Sequence, residues 1–366
     1  MSLNVAIVGG GIAGCASAYY LARDGHKVTL FERDSVASHA SGFALGGIIP
    51  PVRNSVVDDF EKFSLHSIDL HRQLNDTINP SGETNFSRKP SMALALDEFE
   101  ARQLIAAYKS YSEHSSSDIR WLSHGEFSHI DARVSPSVVG GLYFGEAYEV
   151  DPYKLTLSLW QAAENSGAEL VNREVVSIDE TGGKVTGVST DAGSHPADAV
   201  IAAAGPWSSQ LLEPLGVSVP VTPLKGQILR LQAPAPVLPI SLWWGENYAS
   251  TKEDGLTWIG TTEEEVGFDD RTTDEARDSI IGSAVEVLPY LENADLVQQT
   301  ACLRPITPDR APIVDSSAGP EGLVISTGGG RNGILLGPAM GEAASDLVVG
   351  TAPTVNIDSF SLSRFS

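Results

Sequence analysis

The first residues of the chain alternate between short apolar runs and a helical segment. The apolar run 5–8, rich in β-branched residues, predicts a strand, and three glycines follow it directly. Residues 12–23 have the composition of a helix that Gly25 ends, and residues 27–31 predict a second strand that finishes at Glu32. Two strands joined by a crossover helix are typical of a parallel sheet, so this pattern predicts the start of an α/β domain.

Three later segments also carry helical signals. Apolar positions recur among polar ones over residues 60–75, and a further helix is predicted for 97–111. Asp151 followed by Pro152 predicts a helix start, because aspartate caps the first amide groups and proline fits the first helical position. Strand-like runs follow that helix at 170–171, 175–178, 185–188 and 199–202.

The pattern changes between residues 221 and 301. Short strand-like runs there are separated by a hairpin signal, Asp254-Gly255, which indicates antiparallel strands and a second domain. From residue 302 the first pattern returns, with a strand at 323–325, a glycine-rich loop and a final helix. We therefore predict an α/β fold with a discontinuous Rossmann-like domain and a second α+β domain that has a mixed or antiparallel sheet. The first domain would take segments 1–87, 146–220 and 302–366, and the second would take 88–145 and 221–301.

Composition and charge exclude several classes of protein. The chain has 366 residues, of which 42% are hydrophobic, and this suits a globular protein of about two domains. Its 24 basic and 47 acidic residues give a net charge of −23, which disfavours nucleic acid or an anionic membrane as a partner. Because the chain contains only Cys15 and Cys302, a disulfide framework and a four-thiolate metal site are both excluded.

The N-terminal stretch resembles neither a membrane span nor a signal peptide. Residues 4–22 carry no charge, but they include four glycines, and no basic residue precedes them. The eight histidines are scattered, and no common metal-binding motif is present. We therefore expect a soluble, cytoplasmic chain without a transmembrane segment and without a metal site.

A glycine pattern marks the turn between the first strand and the first helix. In Gly9-x-Gly11-x-x-Gly14, the first glycine permits a tight turn, the second lets a pyrophosphate approach the backbone, and the third lets helix and strand pack closely. The helix N-terminus offers free N–H groups to phosphates. Glu32, which ends the second strand, can accept hydrogen bonds from a ribose diol. These residues predict a dinucleotide site rather than an empty glycine-rich turn, and they leave FAD and NAD open.

Three further motifs decide between the cofactors. They are Ala202-Ala203-Ala204-Gly205-Pro206-Trp207-Ser208, Leu303-Arg304-Pro305-x-Thr307-Pro308-Asp309, and the glycine-rich run 328–336. Together with the N-terminal pattern they resemble the D-amino-acid oxidase family of FAD enzymes, most closely its glycine oxidase and sarcosine oxidase branches. The resemblance covers nearly the whole chain and is weakest over residues 88–145. It implies that the discontinuous domain binds FAD and that the second domain binds the substrate.

The resemblance also implies where FAD would lie. The ADP half would lie on the N-terminal glycine pattern, with Arg33 over the adenosine, and the later motifs would meet the flavin. The positions so implied are Gly9, Gly11, Ile12, Ala13, Gly14, Glu32, Arg33, Ser41, Gly46, Gly47, Ile48, Val175, Ala204, Gly205, Trp207, Arg304, Gly330, Arg331, Asn332, Gly333 and Ile334.

Pro338 bears independently on the last of these segments. Proline fits the first turn of a helix best, so Pro338 places a helix N-terminus within 333–336. A helix N-terminus at that point would stabilise the negative charge of a reduced flavin. The alternative is a glycine-rich helix entry with no ligand.

The resemblance implies oxidation of a small amino acid or amine, such as glycine, sarcosine or a D-amino acid. A hydride would pass to flavin N5, the imine would hydrolyse, and the electrons would go to oxygen, giving hydrogen peroxide, or to a quinone or another acceptor. Arg304 matches the family's carboxylate-binding arginine, whose fork meets a carboxylate with two hydrogen bonds. Tyr248 matches a tyrosine whose hydroxyl assists, and Arg331 would be a second anchor or a flavin contact. The alternatives are a surface ion pair for Arg304 and a packed strand residue for Tyr248.

Two departures from the family pattern affect the substrate site. Many relatives have a proline-arginine pair in the segment that here runs from Tyr248 to Lys252. Cys302 lies in a stretch where the sarcosine oxidase branch carries a cysteine that is bonded to the flavin, although that branch lacks an arginine at position 304. We expect non-covalent FAD and a buried apolar Cys302, with a covalent link as the alternative.

The function itself has two rival interpretations. A relative that works on a larger amine, such as a modified nucleoside in RNA, is disfavoured by the net charge of −23. A non-catalytic flavoprotein subunit would bind FAD without being reduced by any amine. The exact substrate, its stereochemistry and the oligomeric state stay open at this point.

Overall fold

The computed structural model describes residues 2–50, 59–79, 82–112 and 118–365. Two large sheets dominate these residues, and each has its own hydrophobic core. The fold confirms the predicted α/β class with a Rossmann-like sheet and a second, mixed sheet. Among the described residues, no helix combines the length and the apolar character that a membrane crossing needs.

The N-terminal strand forms the centre of a six-stranded, mainly parallel sheet. Asn4–Val8 pairs in parallel with Lys27–Phe31 on one side and with Ala199–Ala202 on the other. Its apolar side chains are buried on both faces, which is typical of parallel strands. In sheet order the strands are Ile313–Asp315, Leu323–Thr327, Ala199–Ala202, Asn4–Val8, Lys27–Phe31 and Glu169–Val171, of which the first pairs antiparallel.

Four long helices pack together beside this sheet. Ile12–Arg23 lies at their centre, and its small residues allow close packing against Gly333–Val349 and Pro152–Asn165. Phe60–Ile78 packs against the C-terminal helix and confirms the helix predicted for 60–75. The predicted cap at Asp151 is confirmed, because its side chain accepts a hydrogen bond from the N–H of Lys154.

A small antiparallel sheet packs against the other side of the parallel strands. It consists of Val175–Thr181, Lys184–Thr190 and Gly193–Pro196. Ile178, Val185 and Val188 share a buried cluster with the apolar residues of the parallel strands. The short helix Ser208–Leu212 contributes Leu212 to the same cluster.

The second large sheet has eight strands and is mixed. Its two longest strands, Thr222–Gln232 and Asp295–Ile306, pair antiparallel along their whole length, so the second of them passes the boundary predicted at 301/302. The hairpin predicted at Asp254-Gly255 is confirmed between Asn247–Thr251 and Thr257–Gly260. The division into two domains stays a prediction. The sheet order is Asp295–Ile306, Thr222–Gln232, Thr257–Gly260, Asn247–Thr251, Ser241–Trp244, Ser91–Ala95, Gly140–Phe144 and Ile119–Ser123.

The remaining elements complete the described chain. The helix Glu98–Ser112 confirms the one predicted for 97–111, whereas Asp274–Val287 falls in a region for which only strands were predicted. This second helix buries Ala276, Ile280, Ala284 and Val287, a spacing that fits one helical face. The other short elements include the helices Ala40–Phe43 and His124–Ser128 and the strands Gly47–Ile48, Ser87–Arg88 and Tyr148–Glu149.

Candidate functional site

A cavity of about 730 Å³ is bordered by both large sheets. Its lining includes Val8 and Phe31, at the carboxyl ends of parallel strands, where α/β proteins commonly bind nucleotides. It also includes Ile228 and Tyr248 from the eight-stranded sheet. The sequence motifs that lie far apart along the chain therefore meet around one space.

The N-terminal glycine pattern forms one end of this cavity. Gly9, Gly11, Ile12 and Ala13 line it. Gly9 has a φ of +111°, and a Cβ there would lie 2.4 Å from the carbonyl oxygen of Ala203, so only glycine fits the turn.

Gly14, the third glycine of the pattern, is buried and does not line the cavity. A Cβ on Gly14 would lie 2.0 Å from the carbonyl oxygen of Gly9. The contact explains the predicted close packing of helix on strand.

The first helix begins at the cavity. Its N-cap is Gly11, which has no side chain that could cover the free N–H groups of the first turn. Ser41 lines the cavity and its hydroxyl oxygen accepts the N–H of Ile12 at 2.9 Å. This arrangement leaves a partial positive charge and close backbone access at the cavity wall, as a phosphate group requires.

Glu32 and its neighbours form the outer part of the same end. The Glu32 carboxylate accepts the N–H of Gly10 at 2.7 Å and the N–H of Asp34 at 2.9 Å. The Arg33 guanidinium lies 4.2 Å from the centre of the Trp207 ring, and both side chains line the cavity. Val175 lines it beside them.

The middle of the cavity is lined by backbone and small residues. Gly46, Gly47, Ala204 and Gly205 all border it, as the family resemblance implied. Ile48 does not border it, because this side chain is fully buried in a small sheet where it pairs with Tyr148. The alternation of side chains along a strand places Gly47 at the cavity and Ile48 behind it.

The glycine-rich segment near the C-terminus forms the other end. Gly330, Arg331, Asn332, Gly333 and Ile334 line the cavity, and the last helix begins at Gly333. The helix N-terminus is therefore where Pro338 predicted it.

The proline itself lies elsewhere than expected. Pro338 is inside the helix and not in its first turn. Because proline has no N–H, the carbonyl of Ile334 loses its helical partner. The buried His71 compensates, with its Nε2 at 3.0 Å from that oxygen and 3.2 Å from the oxygen of Leu335.

Arg304 is a buried cation beside the cavity. It is only 9% exposed, donates to the Thr261 hydroxyl at 2.7 Å and to the Thr262 carbonyl at 3.1 Å, and has no carboxylate partner among the described residues. A Cβ at Gly226, on the paired strand, would lie 2.1 Å from both terminal nitrogens of Arg304. The guanidinium therefore lies flat against a glycine and is held by neutral groups.

Tyr248 lies close to this cation. The side chain is 4% exposed, lines the cavity, and rests on Gly260, where a Cβ would approach the hydroxyl oxygen to 2.8 Å. Burial raises the pKa of Tyr248, and the guanidinium groups of Arg304 and Arg331 oppose that rise. The hydroxyl is therefore a neutral hydrogen-bond donor and acceptor at working pH.

Arg331 lines the cavity but is already paired. Its guanidinium lies 2.8 Å from a carboxylate oxygen of Glu246 and 3.1 Å from one of Glu263, and it also donates to the Glu246 carbonyl at 2.8 Å. The sequence predicted two roles for Arg331. Because its guanidinium is already paired, this geometry does not offer a free second anchor.

Both departures from the family pattern can be located. Cys302 is buried and lines the cavity, and burial raises the pKa of its thiol although Arg304 opposes the shift. The Lys252 side chain is only 9% exposed, but it does not line the cavity. Its ammonium donates to the carbonyl of Leu45 at 2.7 Å and lies 3.3 Å from the carboxylate of Glu149. A neutral thiol is a weak nucleophile, and Lys252 supports a loop rather than the substrate space.

Sequence reasoning missed five residues that shape this end of the cavity. They are distant in sequence from Arg304 and carry no motif. Some of them lie next to the strand Thr257–Gly260, which pairs with Asn247–Thr251, and only this proximity could have suggested them. The missed residues are Gly226, Glu246, Thr261, Thr262 and Glu263.

The residues around the cavity fit FAD. One end offers a helix N-terminus and close backbone, which suit a pyrophosphate, and Glu32, which suits a ribose. The other end offers a second helix N-terminus and buried apolar walls, which suit a ring that becomes negative on reduction. A cavity of this size and mixed lining is typical of cofactor sites.

The comparisons with known proteins indicate the same cofactor. The family model described as "FAD dependent oxidoreductase" (DAO) matches residues 4–347. The glycine oxidase of Pseudomonas putida is 31% identical over 361 residues, which cover 97% of each chain. The bifunctional protein ThiO/ThiG of Trichormus variabilis is 31% identical over the whole of this chain, which spans only 55% of that protein.

Solved structures show the same fold. The glycine oxidase of Geobacillus kaustophilus superposes with a TM-score of 0.93 at 29% identity over 99% of both chains. The iminodiacetate oxidase of Chelativorans sp. BNC1 superposes with a TM-score of 0.88 at 26% identity over 98% of both chains. The chain therefore belongs to the DAO family and is an FAD-dependent oxidoreductase that acts on small amino acids or amines.

Proposed function

We propose that this enzyme oxidises a small amino acid of the glycine, sarcosine or D-amino-acid type, and that Arg304 holds the substrate carboxylate. The observation that carries this proposal is the state of the Arg304 guanidinium. It is 9% exposed, borders the cavity and has only neutral partners among the described residues.

A buried cation without an acidic partner needs an anion. Burying an unpaired charge costs several kcal/mol, and a carboxylate that arrives with the substrate removes part of that cost. The hydrogen bonds to Thr261 and Thr262 fix the plane of the guanidinium before the substrate binds. A preorganised fork of this kind favours a planar carboxylate with two parallel hydrogen bonds.

Tyr248 supplies a neutral hydroxyl beside this anchor. Its side chain rests on Gly260, and the next residue, Thr261, accepts a hydrogen bond from Arg304. It can donate a hydrogen bond to the substrate carboxylate or accept one from the amine. Two fixed contacts on one substrate limit its rotation, which favours a single reactive orientation.

FAD, when bound, supplies the redox chemistry by accepting a hydride at N5 from the carbon next to nitrogen. The described residues that would hold it are the glycine turn, Ser41 and Glu32 at one end and the segment from Gly330 to Ile334 at the other. The N-terminus of the last helix at Gly333 favours a negative charge nearby.

The reaction does not strictly require an acid or a base from the protein. Loss of a hydride from a neutral amine leaves a protonated imine, which water hydrolyses. We propose non-covalent FAD, because burial keeps the Cys302 thiol protonated, and oxygen, a quinone or another acceptor for the electrons. The names of the relatives, glycine oxidase and iminodiacetate oxidase, support a small substrate.

The experiment is anaerobic reduction of the purified flavoprotein by a panel of amines. Glycine, sarcosine, D-alanine and proline are added separately, each beside its carboxamide, and the bleaching of the flavin absorbance is followed. The proposal predicts bleaching by at least one amino acid at concentrations that leave the carboxamides ineffective. Bleaching by amides and acids alike, or by none of the amines, would overturn it.

A further inference from the structure

A cluster of four charged side chains borders the cavity at the end where Arg304 and Tyr248 lie, and two of its members, Arg331 and Glu246, line the cavity. The Arg331 guanidinium lies between the carboxylates of Glu246 and Glu263, at 2.8 and 3.1 Å. Glu263 also forms a two-bond pair with Arg310, at 2.7 and 3.1 Å. Two cations and two anions thus form one neutral group, in which Arg331 and Glu263 each contact two partners.

The members of this cluster differ in exposure. The side chains of Arg331 and Glu263 are 14% and 18% exposed, whereas the Glu246 side chain is 50% exposed. Although burial opposes it, hydrogen bonds from Arg310 and Arg331 lower the pKa of Glu263 to about 2. Glu263 therefore stays ionised at any working pH, and Glu246 is the partner that a ligand can reach.

Two guanidinium groups at this end of the cavity are thus in opposite states. Arg304 has no carboxylate partner among the described residues, and Arg331 has two. Burial raises the pKa of Tyr248, and both guanidinium groups are near enough to oppose that rise. The site offers one free positive charge and a second one that is covered by acids of the protein itself.

We propose that the substrate site accepts a single carboxylate and that Glu246 excludes a second one by covering Arg331. The inference rests on the proposed function and adds the substrate class, amines with one carboxylate, together with the residue that sets it. A substrate with a second carboxylate would have to displace Glu246 from Arg331 or lie beside two ionised acids. Like charges held in contact disfavour such a ligand strongly.

The test uses two ligands that bind without being oxidised at nitrogen. (Methylthio)acetate and thiodiacetate have sulfur in place of the substrate nitrogen, and they differ by one added carboxylate. Their dissociation constants are measured on the FAD-loaded enzyme from the change in flavin absorbance and by calorimetry. We expect the wild type to bind the monocarboxylate at least about tenfold more tightly, which corresponds to about 1.4 kcal/mol.

The decisive variant is Glu246→Gln, which keeps the size of the side chain and removes its charge. We expect it to lower the preference for the monocarboxylate about tenfold, mainly through tighter binding of thiodiacetate. Glu253→Gln is the matched control, because Glu253 is an exposed acid outside the cavity and its loss changes the net charge equally. The double variant Glu246→Gln with Arg331→Gln should regain the preference, since it removes the uncovered cation.

The outcomes separate this inference from the proposed function. A wild type that binds neither ligand refutes the proposed function. Tight binding of thiodiacetate by the wild type, or an unchanged preference in Glu246→Gln, refutes the inference while Arg304 remains the anchor. An equal change in Glu253→Gln would show a general charge effect and would also overturn it.

Discussion

Gly226→Ala is a sharp test of the anchor because it leaves every charge in place. Gly226 pairs with Cys302 on the neighbouring strand, and the guanidinium of Arg304 lies across its α-carbon. The new methyl group would lie 2.1 Å from both terminal nitrogens and 2.2 Å from the central carbon of that guanidinium. No side chain tolerates such distances, so Arg304 must leave its position or its plane.

The expected effect follows from the bonds that the displaced guanidinium would lose. Hydrogen bonds to a charged group contribute about 1.5–3 kcal/mol, which corresponds to about a tenfold to a hundredfold change in a dissociation constant. We therefore expect the affinity for a carboxylate ligand to fall by that factor. FAD binding should persist, because Gly226 does not line the cavity.

The assay compares (methylthio)acetate with its carboxamide on the FAD-loaded variant. A loss confined to the carboxylate ligand is expected, and the flavin absorbance per chain should equal that of the wild type. Gly282→Ala is the control: it lies within the helix Asp274–Val287, and a Cβ there meets nothing within 4 Å. Wild-type affinity of Gly226→Ala for the carboxylate would refute the reasoning, because the crowded guanidinium would then not be the anchor.

Three further predictions concern the cofactor and the fold. Gly9→Ala should abolish FAD retention, measured by absorbance after gel filtration, because its Cβ would lie 2.4 Å from the Ala203 oxygen at a φ of +111°; a yellow variant would contradict this. Cys302→Ser should bind FAD normally, and acid precipitation of the wild type should leave all colour in the supernatant; a yellow pellet would show a covalent link. Burial lowers the pKa of His71 to about 4, although its backbone hydrogen bonds oppose this shift. The free energy of unfolding that neutral His71 contributes is therefore fully present above its unfolded pKa of about 6.5, and it is lost as pH falls towards 4. Denaturant unfolding from pH 7 to 4.5 should show a smaller loss in His71→Gln, and an equal loss would contradict this role.

The parts of the fold that the sequence predicted are those governed by neighbouring residues. The strand, glycine turn and helix of 4–23 follow from apolar runs and from the needs of a tight turn. Asp151 and Pro152 likewise act within one helical turn, and the helix begins as predicted. Local signals of this kind do not depend on what the rest of the chain does.

Pro338 shows where local reasoning fails. A proline inside a helix leaves a carbonyl without a partner, so the first turn was the expected place. His71, more than 260 positions away, offsets that cost, because its Nε2 lies 3.0 Å from the Ile334 oxygen. No pattern near Pro338 could reveal this contact, because it arises only when two helices pack.

The substrate end of the cavity depends even more on distant contacts. The family motifs imply Arg304 as the anchor and leave Arg331 as a second anchor or a flavin contact, whereas Glu246 and Glu263 show which role is open by pairing with Arg331 alone. The packing of loops and strands determines which arginine is free. Gly226 determines how closely the Arg304 guanidinium can approach the neighbouring strand. The motif therefore predicts the residues of the site, but it does not predict which of the arginines is free to pair with a ligand.

The most direct measurement is a cycle of four dissociation constants. Wild type and Arg304→Ala, both loaded with FAD, are titrated with (methylthio)acetate and with (methylthio)acetamide. The account predicts that the substitution weakens the acid by about a hundredfold and the amide by less than about threefold. Equal losses for the acid and the amide, or no loss for either, would contradict the claim that Arg304 holds the substrate carboxylate.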